Sequence, residues 1–284
     1  MDMLKINIRR SVSCAEAPRR LVLLCEKGWM TINTEETGIK KEPLAGGRGI
    51  YVSRNSRFGT DAVLLADFAA PKRIDKAVDL GTGGGIIPLL WLCSDAPRQQ
   101  VIGVEIQSEC CKLANRSIAE NGDAERFIVI QGDLRYIGNY LPREQYSLVT
   151  CNPPYFPAGS GFVNQTEGRT VARSETMCCL EDVCEAAKYL LKYGGRLCVC
   201  QRPERLTDLI CAMRGCQIEP KRARLVQQRS DSAPWLVLVE GRRGGNPGLK
   251  WLPTLLVEAA DGGYTEEMKS VYGRYGEAEK WQES

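Results

Sequence analysis

Histidine is absent from all 284 residues of the chain. That absence removes every catalytic scheme built on an imidazole base, Ser-His-Asp and Cys-His alike, and with them the commonest metal ligand. Long apolar runs are missing too. Nothing approaches the ~18 consecutive apolar residues that a membrane span requires, and the early run Leu21 to Cys25 is too short for the core of a secretory signal. The 13 cysteines are an odd number and include no Cys-x-x-Cys spacing. Cys110-Cys111 and Cys178-Cys179 are adjacent pairs, which do not suit a metal. The expectation is reduced thiols in a cytoplasmic protein, with no metal site and no membrane partner. An excess of one charge is also lacking: 38 basic residues face 35 acidic ones, for a net charge of +3. Alone, that is too mild to name a nucleic-acid partner.

What is present is an ordinary globular balance, 43% hydrophobic and 26% charged. Residues 1–40 are weakly periodic and rich in charge, and read as a poorly ordered extension. Residues 41–260 read as one domain and 261–284 as a tail. The segment 43–57, rich in Gly and Arg, suggests a short hairpin. From Thr60 the character changes: the pattern predicts a helix over Asp61–Ala70, with Thr60 or Asp61 as N-cap and Pro71 as its stop. Strands are then expected at Lys76–Leu80, Gln100–Glu105, Phe127–Gln131, Tyr146–Cys151 and Arg196–Gln201. Helices are expected at Ile86–Cys93, Ser108–Asn121, Leu180–Tyr193 and Pro203–Arg214. A last pair of strands, Gln217–Val226 and Trp235–Glu240, has no helix between its members. Apolar strands alternating with helices predict an α/β, Rossmann-like fold. Its seven-stranded sheet is mostly parallel with an antiparallel C-terminal strand, and helices cover both faces.

Four short segments carry candidate chemistry, each at the end of a predicted strand. Val78-Asp79-Leu80-Gly81-Thr82-Gly83-Gly84-Gly85 joins the first strand to its helix. Glycines there let backbone approach a ligand, and a helix N-terminus offers free N–H groups; a tight turn chosen for packing is the competing reading. A dinucleotide fingerprint needs a third small residue where Ile86 stands. Asp79 would repel a diphosphate but suit the sulfonium and ammonium of S-adenosylmethionine (SAM), so Asp79, Gly81 and Gly83 become cofactor candidates. Glu105, about two dozen residues on, can accept both ribose hydroxyls of such a ligand. Gly132-Asp133-Leu134 follows the third strand. Asp133 either accepts from the adenine amino group of the cofactor or caps the next short helix, and Leu134 goes with it as a cofactor candidate.

The fourth segment is Asn152-Pro153-Pro154-Tyr155. Two consecutive prolines fix φ and remove two donors. Their carbonyls and the Asn152 side chain can then aim at one point. An amine on a planar, conjugated group is a poor nucleophile because its lone pair is delocalised. Accepting its N–H groups at Asn152 and Pro153 favours a pyramidal, attacking nitrogen, and Tyr155 offers a face for stacking. Asn152 would also border the cofactor.

On these residues the chain resembles class I SAM-dependent methyltransferases of the N6-adenine type. More narrowly it resembles the bacterial tRNA1(Val) adenine-N6 methyltransferase family, which modifies the adenine just 3′ of the anticodon. The likeness runs from about Gly46 to Tyr272 and also rests on Arg57 to Ala66, Arg202 to Leu206 and Leu238 to Gly241. It implies that the segment around Thr60 and Asp61 packs over the methionine end of the cofactor. Relatives often carry histidine where this chain has Ser174, Gln201 and Gln227.

RNA, and tRNA in particular, is the expected partner. Lys221, Arg222, Arg224 and Arg229 form a basic run without an acid, and could hold phosphates or simply be a solvated face. The loop 156–174, with Arg169 and Arg173, reads as a lid over the base or as a plain surface loop. Two other functions remain open: a protein-glutamine N5-methyltransferase acting on release factors, and a non-catalytic RNA-binding protein with a methyltransferase fold. The first is disfavoured because residues 1–40 are too short for a helical recognition domain, the second because Asp79, Glu105 and Asn152 are intact.

Overall fold

The structure is a computed structural model that describes residues 20–25, 28–33, 38–54, 56–94, 96, 99–153 and 178–276. The chain forms two compact units, Met1–Ile39 and Lys40–Ser284. In the first, β1 (Arg20–Cys25) and β2 (Gly28–Asn33) pair as an antiparallel hairpin.

In the second unit, β3 (Lys40–Pro43) and β4 (Gly49–Val52) form a hairpin that begins earlier than the expected 43–57. The main strands are β5 (Ala77–Leu80), β6 (Val101–Glu105), β7 (Phe127–Gln131), β8 (Tyr146–Cys151), β9 (Leu191–Gln201), β10 (Ile218–Gln227) and β11 (Pro234–Arg243). The sheet order is β10-β11-β9-β8-β5-β6-β7. β5 through β9 run parallel, while β11 is antiparallel to both β9 and β10. Two short strands, β12 (Lys250–Trp251) and β13 (Leu255–Leu256), lie along the outer edge of β10 and bring the sheet to nine strands. They cover backbone that an open edge would expose.

Side chains alternate through the sheet, so each strand feeds two apolar layers. Ala77, Leu148, Cys198 and Leu238 face a layer with α1 (Thr60–Ala69), α2 (Ile86–Cys93) and α6 (Glu266–Tyr275). Their neighbours Val78, Val149, Val199 and Val239 face α4 (Leu180–Leu190) and α5 (Leu206–Gly215). The remaining helix, α3 (Ser108–Asn121), adds Ile118 to the first layer. Each Leu that α1 and α2 bury completely contributes about 2 kcal/mol of transfer free energy. The indole N–H of Trp91, fully buried on α2, donates to the Ala66 carbonyl of α1 at 3.0 Å.

Two expected boundaries move. Helix α4 ends at Leu190, not Tyr193, because buried Leu191 already pairs with Tyr146. Residues 192–195 then bulge out before pairing resumes at Arg196, with Gly194 in the left-handed region at φ 76°. The stretch after residue 260 contains α6, which buries Met268, Val271, Tyr272 and Tyr275 within the same compact unit.

Candidate functional site

The glycine turn after β5 serves two purposes through different residues. Gly81 and Gly83 have φ of 66° and 56°, and a Cβ on either would meet nothing within 4 Å. They border open space, where a ligand can approach backbone closely. Gly85, at φ 86°, is packed: a Cβ there would lie 2.8 Å from Phe127. The N–H groups of Gly81 and Thr82 donate to the Val104 carbonyl at 2.8 and 3.1 Å, tying the turn to β6. Gly103 on β6 makes room for this, since a Cβ there would strike Thr82 at 2.6 Å.

Two carboxyl groups flank the turn. Asp79 is 1% exposed and accepts from the Thr150 hydroxyl at 2.6 Å. Burial pushes its pKa up to about 7, against the pull of that hydrogen bond, and the charge of Glu105 adds to the rise. Glu105, also buried, accepts the Gly83 N–H at one oxygen and the Gln107 N–H at the other, both at 2.8 Å. Among the described residues Asp79 makes no ion pair. Next to it is a cavity of 190 Å³ whose lining includes Ile50, Val52, Asp79, Gly81, Gly83 and Asn152. A buried carboxyl without a cation, beside glycines open to close approach, fits the charged centres of SAM. Sequence reasoning missed the contribution of β4 to this cavity. That strand is held by Tyr51 N–H donating to Ser117 at 2.9 Å and by the Arg48–Asp123 pair at 2.9 Å.

Asn152, at the end of β8, is gripped from both sides. Its amide N–H donates to Asp61 at 3.0 Å, and the thiol of Cys200 on β9 donates to its carbonyl oxygen at 3.0 Å. Asp61 in turn accepts the Ala62 N–H at 2.9 Å with its other oxygen. The amide plane is therefore fixed. Neither Cys200 nor Asp61 could be linked to Asn152 by spacing, since they lie 48 and 91 residues away. Pro153 is buried beside Asn152. Pro154, Tyr155, Arg169 and Arg173 lie outside the described residues.

Other expected contacts fall elsewhere. Asp133 caps the short turn that follows β7, accepting the Arg135 N–H at 2.9 Å. The Arg135 guanidinium at 2.6 Å holds its carboxyl below the usual range. Neither Asp133 nor buried Leu134 lines the 190 Å³ cavity. The basic run is largely engaged within the fold. Arg222 lies over the Phe68 ring at 4.3 Å and donates to Glu240 at 2.9 Å and to the Phe68 carbonyl at 2.6 Å. Arg224 donates to Glu267 at 2.7 Å and to the Pro253 carbonyl at 2.9 Å, and Lys221 to the Asn246 carbonyl at 2.9 Å. Arg229, 61% exposed, sits 3.5 Å from both Asp231 and Glu258.

Thr60 lines a second, larger cavity of 910 Å³, which shares Gly59 and Asp61 with the first. Its hydroxyl lies 3.0 Å from that of Tyr272 on α6, whose ring sits 5.1 Å from that of Tyr264. No described group of three His, Cys, Asp or Glu is placed to hold a metal ion. No described helix is long and apolar enough to cross a membrane.

Comparison with known proteins identifies the family of the chain. The family described as the methyltransferase small domain matches residues 44–213. A relative from Parabacteroides distasonis is 32% identical over 65% of this chain and 76% of its own length. One from Yersinia enterocolitica is 29% identical over 57% of this chain, which spans 66% of that relative. Both are named tRNA1(Val) (adenine(37)-N6)-methyltransferase. A crystal structure from Agrobacterium tumefaciens, described as a predicted O-methyltransferase, superposes with a TM-score of 0.62 at 22% identity. It covers 76% of this chain and 97% of its own, and shares the fold. The glycine turn, both buried carboxyls and Asn152 all fall inside the matched segment. The chain belongs to the methyltransferase small domain family, and its methyl donor is SAM.

Proposed function

We propose that this protein methylates the exocyclic N6 amine of an unpaired adenine in tRNA, beside the anticodon, in the cytoplasm. The observation that carries the reading is the clamped Asn152 amide, held by Asp61 and Cys200 at the rim of the cavity that contains Asp79. When bound, SAM supplies an electrophilic methyl group. Asp79 and Glu105 supply negative charge and acceptors to hold it, and Gly81 and Gly83 let it lie against backbone. The Asn152 side-chain oxygen and the Pro153 carbonyl would accept the two N–H groups of the adenine amine. That draws the nitrogen lone pair out of conjugation and turns it toward the methyl carbon. The nitrogen would form the new N–C bond as the methyl–sulfur bond of the sulfonium breaks, the electron pair leaving with sulfur as a neutral thioether. The surplus proton on nitrogen would pass to solvent, so no histidine is needed. An anticodon-loop adenine reaches the site without opening a duplex. The names of the relatives support adenine over glutamine as the planar nitrogen.

The test is mass spectrometry of nucleosides from tRNA isolated with and without this protein. N6-methyladenosine should be present only with it. Equal amounts in both samples would overturn the proposal.

A further inference from the structure

The 910 Å³ cavity shares Gly59 and Asp61 with the cavity beside the glycine turn. Its walls come from widely separated places: Thr60 and Asp61 at the start of α1, Arg202 after β9, Trp235 on β11, and the 257–264 segment. That segment is a built structure. Glu258 and Tyr264 form an antiparallel bridge, Ala259 N–H donates to Gly263 at 2.8 Å, and Thr265 N–H donates to Val257 at 3.0 Å. Thr265 also caps α6, and α6 reaches back through Tyr272 to Thr60. The cavity is thus fastened to the helix that presents Asp61 to Asn152.

Its chemistry differs from that of a phosphate site. Asp61, Glu258 and Asp261 outnumber Arg202, so an anion would be repelled, whereas a group with N–H donors would find acceptors. Trp235 and Tyr264 add ring surface, which suits a planar heterocycle. We infer that this cavity receives the acceptor base: an amine-bearing heterocycle enters here, passes Asp61 and meets Asn152. The inference rests on the proposed RNA reading. Apart from 59–61 and 202, the lining lies entirely beyond the family match at 44–213. The part of the chain that selects the substrate is then distinct from the part that binds the methyl donor.

The test uses the full chain, an unmodified tRNA transcribed in vitro and radiolabelled SAM. The variants are Tyr264→Ala, Tyr264→Phe and Asp261→Ala; Asp261 is exposed, and its carboxylate also accepts the Gly263 N–H at 3.0 Å. Tyr264→Ala should lower kcat/KM for RNA about tenfold or more, and Asp261→Ala about fivefold. Tyr264→Phe, which keeps the ring, should stay within about twofold. The Kd for SAM, from calorimetry without RNA, should change less than about twofold in all three. Unaltered RNA kinetics in both alanine variants would overturn the cavity assignment alone. A loss of SAM affinity as large as the loss of RNA transfer would overturn it too, by giving the cavity to the cofactor. Failure of the wild-type chain to methylate any RNA would overturn the RNA reading itself and this assignment with it.

Discussion

The two cavities that meet at Asp61 are built in different ways. The smaller takes its acid and its glycine turn from one continuous stretch, Asp79 to Ile87, with β4, the 56–62 segment and Asn152 closing it. Backbone does most of the work there: glycines that turn, N–H groups that hold Glu105, a helix that starts where the turn ends. The larger is assembled from side chains spread over some two hundred residues, from Gly59 to Tyr264. A site made by local backbone is shared across a family and constrains only what every member binds. A site made by distant side chains can vary without disturbing the other. Asn152 lines the smaller cavity, and its amide is hydrogen-bonded to Asp61, which lines both.

The sharpest way to break that comparison is to remove that amide. Asn152→Ala should lower kcat by roughly a hundredfold to a thousandfold, because it deletes a positioned acceptor at the reacting nitrogen. SAM affinity by calorimetry should stay within about threefold. A parallel loss of SAM binding would assign Asn152 to the cofactor instead.

Next in size is the pH dependence of the smaller cavity. The Asp79 pKa rises from an ordinary 3.8 to about 7 in the fold. The folded protein therefore favours the protonated acid, and this group costs stability progressively as pH rises from about 4 to 7. A cationic ligand needs the ionised form, so SAM affinity should climb with pH and level off above 7. At pH 6 it should be about tenfold weaker than at pH 8. Asp79→Asn should bind more weakly throughout and lose that slope. A wild-type affinity independent of pH between 6 and 8 would contradict the role given to the buried acid.

A smaller effect is expected at the clamp. Cys200→Ala removes one neutral hydrogen bond to Asn152 and should lower kcat about fivefold with little change in either KM. Cys200→Ser restores a donor and should recover most of the loss. Equal loss in both variants would point to packing rather than orientation.

The smallest catalytic effect is expected from Arg222→Ala. With Arg222 lying over Phe68 and paired to Glu240, its removal should cost about 1 kcal/mol of stability. The melting temperature should fall a few degrees. Arg196 remains to partner Glu240 at 3.1 Å, which limits the damage. The salt dependence of RNA binding should not move. A shallower salt slope would show that Arg222 contacts phosphate after all.

The residues gathered around the glycine turn were legible in the sequence and those around the larger cavity were not, for one reason. Asp79, Gly81, Gly83, Glu105 and Asn152 sit at strand ends that hydrophobic alternation already locates, so their convergence follows from topology. Asp133 could be read two ways from its position, and the Arg135 N–H at 2.9 Å shows it capping the turn. The run 221–229 looked like a basic patch because its acidic partners, Glu240 and Glu267, come from other elements. Cys200 gave no signal at all, being one cysteine among 13. Tyr264 and Tyr272 fall at the end of a stretch whose weak pattern suggested a tail, yet α6 buries four side chains.

The most direct test of the whole account is reconstitution. Unmodified tRNA, SAM and the full chain are incubated, the RNA is digested, and its nucleosides are analysed by mass spectrometry beside a reaction with the Asn152→Ala variant. The account predicts N6-methyladenosine with the wild-type chain and at most a trace with the variant. No methylated adenosine from the wild-type chain, with methyl transfer instead to a glutamine-containing peptide, would contradict it.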